Sequence, residues 1–144
     1  VQVLVDLSTW PDLAGFLARI PVPVAFDHMG HIPADKAVTD PGFQALLRAV
    51  DTGQVWVKLS AAYRLGEDVS DLYASVAPMA RALIAANPDR MVWGSDWPHP
   101  TFAGPMPNDG MLLDLLFDWA GPDLIQRILT QNPETLYGFP NPAP

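Results

Sequence analysis

The sequence predicts an α/β protein built on a parallel sheet. Four short apolar runs, the first three dense in valine, recur along the 144 residues, and an amphipathic helical pattern follows each of the first three. Turn and cap residues fall between them. The runs are VQVLVD (1–6), VPVAFDH (22–28), QVWVKLS (54–60) and RMVWGSD (90–96). They show little polar alternation, as expected of strands covered on both faces. Leu13, Phe16, Leu17 and Ile20 then occupy i, i+3, i+4 and i+7, one face of a helix. Phe43, Leu46, Leu47 and Val50 repeat those offsets, and so do Val76, Met79, Ala80 and Leu83.

Boundary signals agree. Asp40 followed by Pro41 reads as an N-cap with proline at the first helical position, and Gly53 stands where that helix should stop. Two helical segments, 109–120 and 122–131, are separated at Gly121-Pro122. Asn132-Pro133 reads as the start of a last short helix closed by Gly138, and PNPAP (140–144) as a tail frayed at its end. Strands alternating with helices imply right-handed crossovers, hence either an open doubly wound sheet or part of an eight-stranded barrel. Neither a G-x-G-x-x-G nor a phosphate-binding G-x-x-x-x-G-K-[ST] occurs, so the usual nucleotide-binding sheets lack support.

Composition narrows the function. Hydrophobic residues make up 49% and charged residues 17%, enough for a substantial core. A formal charge of −8 without a basic cluster disfavours nucleic acid as a partner. The absence of cysteine removes disulfides, thiolate zinc sites and a cysteine nucleophile, and fits the cytoplasm. Pro78 and Arg81 interrupt the longest apolar stretch, so no membrane span is expected. The chain opens at Val1 inside an apolar run, which reads as the later half of a longer protein.

Chemistry-bearing residues gather where three strands end: Asp27-His28, Lys58 with Ser60, and Asp96. Ligands collect at the C-terminal edge of parallel sheets in barrels and open sheets alike. Side chains alternate along a strand, so Asp27 and His28 are expected to face opposite ways. Asp96 should share a face with Gly94, whose missing side chain would leave room for water or a ligand. The plainer readings are a turn aspartate, a structural histidine, a salt-bridged or snorkelling Lys58, and a solvated Arg64. His31 could pair with His28 on a metal, and His99 is an accessory candidate.

Taken together, FDHMG (26–30), VWVKLSAAYR (55–64), VWGSDWPHP (92–100) and NPETLYGF (132–139) resemble amidohydrolase-related proteins of the amidohydrolase-2 type. The resemblance is nearest to the branch holding 2-pyrone-4,6-dicarboxylate lactonase and sugar-lactone hydrolases. It implies the C-terminal half of a TIM (β/α)8 barrel over residues 1–139, contributing about four parallel strands, with 140–144 a tail. It implies a hydrolase acting on a carboxylated or sugar-derived lactone. Asp96 would activate the attacking water, and His28 would polarise the carbonyl. Those two would ligate a divalent metal, Zn or Mn, in metal-using members; otherwise no cofactor is expected. Arg64, His31 and His99 would contact substrate.

Two departures stand out. The family's His-x-His pair is absent from these residues, and His31 stands where the dicarboxylate lactonase has arginine, which counts against the pyrone dicarboxylate. The expected partners are a small-molecule substrate and either a missing N-terminal half-barrel or a second copy in a homo-oligomer. Alone, this segment is expected to be inactive. The alternatives are a metal-dependent decarboxylase of the same superfamily and a non-catalytic truncated half-barrel.

Overall fold

The structure, a computed structural model, describes residues 1–10, 12–66 and 73–139. Four strands, β1 (Gln2–Val3), β2 (Val24–Phe26), β3 (Val55–Leu59) and β4 (Met91–Trp93), form one parallel sheet in the order β1-β2-β3-β4. Between them lie α1 (Leu13–Leu17), α2 (Ala34–Ala37), α3 (Pro41–Asp51), α4 (Ala62–Leu65) and α5 (Ala77–Ala86). After them come α6 (Asp109–Trp119), α7 (Pro122–Gln126) and α8 (Asn132–Tyr137). The strands are shorter than their apolar runs, and α2 and α4 carry no apolar period by which to find them.

The strand order decides between the two architectures left open by the residues. A doubly wound sheet reverses its order at a switch point, whereas here every successive strand pairs with its predecessor, as in a barrel wall. The two faces confirm it. Val24, Phe26, Val55, Val57, Leu59 and Met91 join one core with Leu17 of α1, Phe43 and Leu46 of α3, Met79 and Leu83 of α5 and Leu116 of α6. The alternate residues Ala25, Trp56 and Val92 form a separate small cluster, on which Leu136 of α8 is the one partly buried hydrophobic to pack among the described residues. The helices therefore cover one face. The other carries the residues that line the inside of a barrel.

Local chemistry explains the boundaries. The Asp40 side chain accepts from the N–H groups of Gly42 and Phe43, capping α3 as its sequence predicts, and Gly53 at φ +75 follows the helix end. The last short helix starts at Asn132 and closes at Gly138, as the sequence predicts, but the backbone of Asn132 is helical and the chain runs unbroken from α7 through a π-helical turn, Arg127–Gln131, into α8, so Asn132 caps nothing. Pro133 lacks the N–H that an α-helix would need at that point, and a π-turn is one way a helix absorbs that loss. The Asn132 side chain instead donates to the carbonyls of Pro88 at 2.8 Å and Met91 at 2.6 Å, tying the last helix to the start of β4. The tail at 140–144 lies outside the described residues.

Candidate active site

Three strand ends build the site. After Phe26 and the extended Asp27, the chain enters the left-handed region at His28 (φ 52), Met29 (φ 53), Gly30 (φ 82) and His31 (φ 56). Strand alternation ends there, so the imidazole of His28 is free to turn toward the end of β4. Its Nε2 lies 3.5 Å from Oδ1 of Asp96, and its Nδ1 lies 2.8 Å from Oγ of Ser60, just past β3. Asp96 is itself at φ 67. Among the described residues, all the non-glycine positions at positive φ except Tyr73 lie in the loops after β2, β3 and β4. Each costs on the order of 1–2 kcal/mol, so strain is concentrated at this edge.

The other oxygen of Asp96 is fully engaged. Oδ2 accepts from the Tyr63 hydroxyl at 2.5 Å and from Nε of Arg64 at 2.8 Å. Arg64 also donates from Nη2 to the Pro100 carbonyl and lies over the Tyr63 ring, 5.3 Å from its centroid. The guanidinium expected to be solvated is therefore partly buried against a carboxylate of its own chain. His99 sits one layer behind. It is 4% exposed, with Nδ1 3.2 Å from Oη of Tyr63 and Nε2 3.1 Å from Oδ1 of Asp109. Both ring nitrogens are occupied, so this arrangement leaves His99 no edge for a substrate. His31 lies beside the pair, its ring centroid 6.1 Å from that of His28.

Two expectations about the inner face need correction. Asp27 and His28 were expected to serve opposite faces, yet Asp27 meets Lys58, which is in register with Val92 of the inner face, and the left-handed turn brings His28 to Asp96 at the end of that same strand. Asp27 is paired with Lys58 at 2.6 Å, which bears out the salt-bridged reading of that lysine. The space over Gly94 is not kept for water. The Lys58 stem fills it, and a Cβ on Gly94 would lie 3.2 Å from Lys58 Cδ. Ser60, singled out with Lys58 at the end of β3, orients His28, whereas Tyr63 carries no signal in the sequence beyond its place after a strand that ends in polar residues.

The electrostatics favour an ionised acid beside a neutral imidazole. Burial pushes the Asp96 carboxyl up, but hydrogen bonds from Tyr63 and Arg64 outweigh it and hold the group below its ordinary 3.8. Burial lowers His28 below 6.5, and the nearby Asp96 and Asp27 charges only partly offset it. The Tyr63 hydroxyl, buried and bonded to a carboxylate, is pushed up to about 12 and stays protonated. A carboxylate oxygen facing Nε2 favours the tautomer with its proton there, leaving Nδ1 to accept from Ser60.

Both lowered values make the unfolded chain bind more protons than the folded one in acid, so stability falls as pH falls. For His28 the loss begins at 6.5, where the unfolded ring titrates, and is complete below the folded value. For Asp96 it begins at 3.8 and is complete below the folded value. We expect the urea midpoint to decline from pH 6.5 downward, and the first part of that decline to vanish in His28→Asn. A midpoint indifferent to pH between 6.5 and 5 in the unaltered chain would contradict the burial of a neutral His28.

A parallel sheet in sequential order, with an acid and an imidazole converging at its C-terminal edge, defines the class as a (β/α) barrel wall with its polar residues gathered where barrel sites form. Residues 1–139 match the model of a family described as amidohydrolase, and the chain belongs to that family. It is 40% identical over 129 residues to a 4-sulfomuconolactone hydrolase from Hydrogenophaga intermedia, covering 88% of this chain and 42% of the relative. It is 36% identical over 146 residues to a 2-pyrone-4,6-dicarboxylate hydrolase from Comamonas testosteroni, covering 95% and 48%. A ligand-free crystal structure of an Agrobacterium tumefaciens protein superposes with a TM-score of 0.82 at 32% identity, over 99% of this chain and 51% of the other. The chain thus spans about half the length of the curated relatives it matches, and its sheet is half of a (β/α) barrel. No helix among the described residues is long and apolar enough to cross a membrane.

Proposed function

We propose that this chain carries the acid–base side of a lactone-hydrolysing site. The observation that supports it most directly is the convergence of His28 Nε2 and Asp96 Oδ1, 3.5 Å apart, at the C-terminal edge of the sheet. Ester hydrolysis needs a water, a base to take its proton, and a donor aimed at the oxygen that gains charge. With Oδ2 already accepting two hydrogen bonds, Oδ1 of Asp96 is the oxygen left for the water's proton. The Nε2–H of His28, oriented through Ser60, serves the developing oxyanion. The water attacks the lactone carbonyl carbon, the ring C–O bond breaks, and the alkoxide leaving group recovers a proton from Asp96.

The substrate class follows the relatives, whose names specify a sulfonated and a dicarboxylated ring. We take it to be a lactone bearing an anionic group, with sugar-derived lactones as the neighbouring possibility. Two N–H-bearing nitrogens of Arg64 are engaged within the chain, so a substrate anion would meet its Nη1 edge. His31, half-buried beside His28, is the second candidate contact. A Zn or Mn ion at this spot would be held by His28 Nε2 and Asp96 Oδ1. The described residues offer no cluster of three or more His, Asp or Glu donors, so such an ion would need donors from beyond them. Bound, it would add Lewis acidity at the carbonyl.

A complete site would need the other half of the barrel, from an N-terminal segment or a second copy. Lack of cysteine fits a cytoplasmic setting. The test is a panel of lactones, including 4-sulfomuconolactone and 2-pyrone-4,6-dicarboxylate. It is run on the chain alone and on the chain mixed with the N-terminal half of the Hydrogenophaga hydrolase. Hydrolysis by the mixture, and none by either half, supports the reading. Carbon dioxide release from a carboxylated substrate would turn it toward a decarboxylase, and silence with every lactone would refute it.

A further inference from the structure

Behind Asp96 runs a line of side chains that the acid–base account does not use. The Tyr63 hydroxyl donates to Oδ2 of Asp96 at 2.5 Å. Asp96 as a carboxylate can only accept, and Tyr63 has a single proton, so the Tyr63 oxygen is left to accept from Nδ1–H of His99 at 3.2 Å. The far nitrogen of the His99 ring, Nε2, lies 3.1 Å from Oδ1 of Asp109 in the first turn of α6, and a carboxylate there can also only accept, so the line holds His99 as an imidazolium that donates from both nitrogens. Ring packing reinforces the line. Tyr63 stands edge-on to His99 and to Phe102, with centroids 5.2 and 4.7 Å away.

The line connects three separate elements. Tyr63 belongs to the short helix after β3, His99 to the loop after β4, and Asp109 to α6. The backbone of Asp96 is left-handed, in a turn where the His99 N–H donates to its carbonyl at 2.7 Å, and its carboxylate is oriented by what touches the side chain. Arg64 supplies one contact and also holds the Pro100 carbonyl. Tyr63 supplies the other, and Tyr63 is itself oriented from behind. Both contacts fall on Oδ2. Their joint effect is to turn Oδ1 toward His28.

Building on the hydrolase reading, we propose that Tyr63 is a positioning residue, backed by His99 and Asp109, that fixes the Asp96 carboxylate so that Oδ1 is presented to the reacting water. Tyr63 does not touch substrate, and neither does His99. Their loss should therefore act on turnover and not on substrate affinity. Partners that orient a reacting group from behind are typically worth about 10–100-fold.

The test uses Tyr63→Phe, His99→Leu and His99→Asn in the complemented protein, assayed on 4-sulfomuconolactone. Tyr63→Phe should lower kcat about 10–100-fold with KM changed less than about twofold. His99→Leu should lower kcat in the same way, and His99→Asn, whose amide N–H can stand where Nδ1–H stood, should recover most of it. A second readout on the chain alone needs no activity. The Asp96 carboxyl carbon resonance, assigned through Asp96→Asn, should move in Tyr63→Phe and His99→Leu and return toward its original position in His99→Asn. Unchanged kcat in Tyr63→Phe, a loss confined to KM, or a carboxyl resonance indifferent to Tyr63 overturns the proposal. If the unaltered protein hydrolyses no lactone while the resonance responds as described, the hydrolase reading falls and the positioning of Asp96 by Tyr63 stands.

Discussion

Replacing Asp96 with Asn is expected to lower kcat of the complemented protein by about 10²–10⁴-fold while leaving KM within a factor of a few. An amide matches the carboxylate in size but has no lone pair basic enough to take a proton from water. It also presents an N–H to one of its neighbours. On the Oδ2 side, Tyr63 and Arg64 are both donors, so the amide turns its oxygen toward them and its NH₂ toward His28 Nε2. The group that should remove the proton then offers one instead. Circular dichroism and the urea midpoint at neutral pH serve as controls for folding. An Asp96→Asn protein that turns over at more than a tenth of the original rate would mean that another group is the base.

Asn132→Ala is expected to cost about 2–4 kcal/mol of stability, because it strips the side-chain donor from two carbonyls at once. Asn132 is 5% exposed, and its amide reaches the carbonyls of Pro88 and Met91, which flank the entry to β4. Each carbonyl that loses a buried donor without gaining water costs roughly 1–3 kcal/mol. The effect should reach the site as well as the fold, since β4 leads directly to Asp96 and is held at its start by this clamp. Urea unfolding monitored by tryptophan fluorescence measures it. Asn132→Asp, which keeps the shape but removes the donors and adds a buried charge, should be at least as damaging. A loss below about 0.5 kcal/mol in Asn132→Ala would show that the two carbonyls are satisfied otherwise.

Those two residues mark the limits of what could be read in advance. Asp96 and His28 were legible because the functional groups of parallel α/β proteins sit at strand C-termini, and both residues close short apolar runs. Asn132 was legible as important only within its motif. It was legible as the start of the last helix, but its hold on β4 was not, because an Asn-Pro pair marks a helix start whatever the side chain binds, and the neighbouring π-turn that absorbs Pro133 leaves no trace in the apolar pattern. The alternation rule placed Asp27 and His28 on opposite sides, and it failed where the backbone turned left-handed at a histidine, a conformation dictated by packing around it. Lys58 crossing Gly94 could not be foreseen either. The direction of a long side chain on an inner face depends on which neighbour offers a counter-charge, here Asp27. Sheet order and the one-sided placement of the helices required coordinates, since four β-α units fit either kind of parallel sheet.

The pH dependence of kcat/KM for lactone hydrolysis by the complemented protein bears most directly on the His28–Asp96 pair. With the acid held ionised and the imidazole held neutral, the rate should be level from neutral pH down to 6.5. It should then fall at lower pH, first as His28 gains a proton and then as Asp96 does. A rate that climbs as pH drops from 7 through 6.5 would mean that protonated His28 is the working form, and would contradict the account.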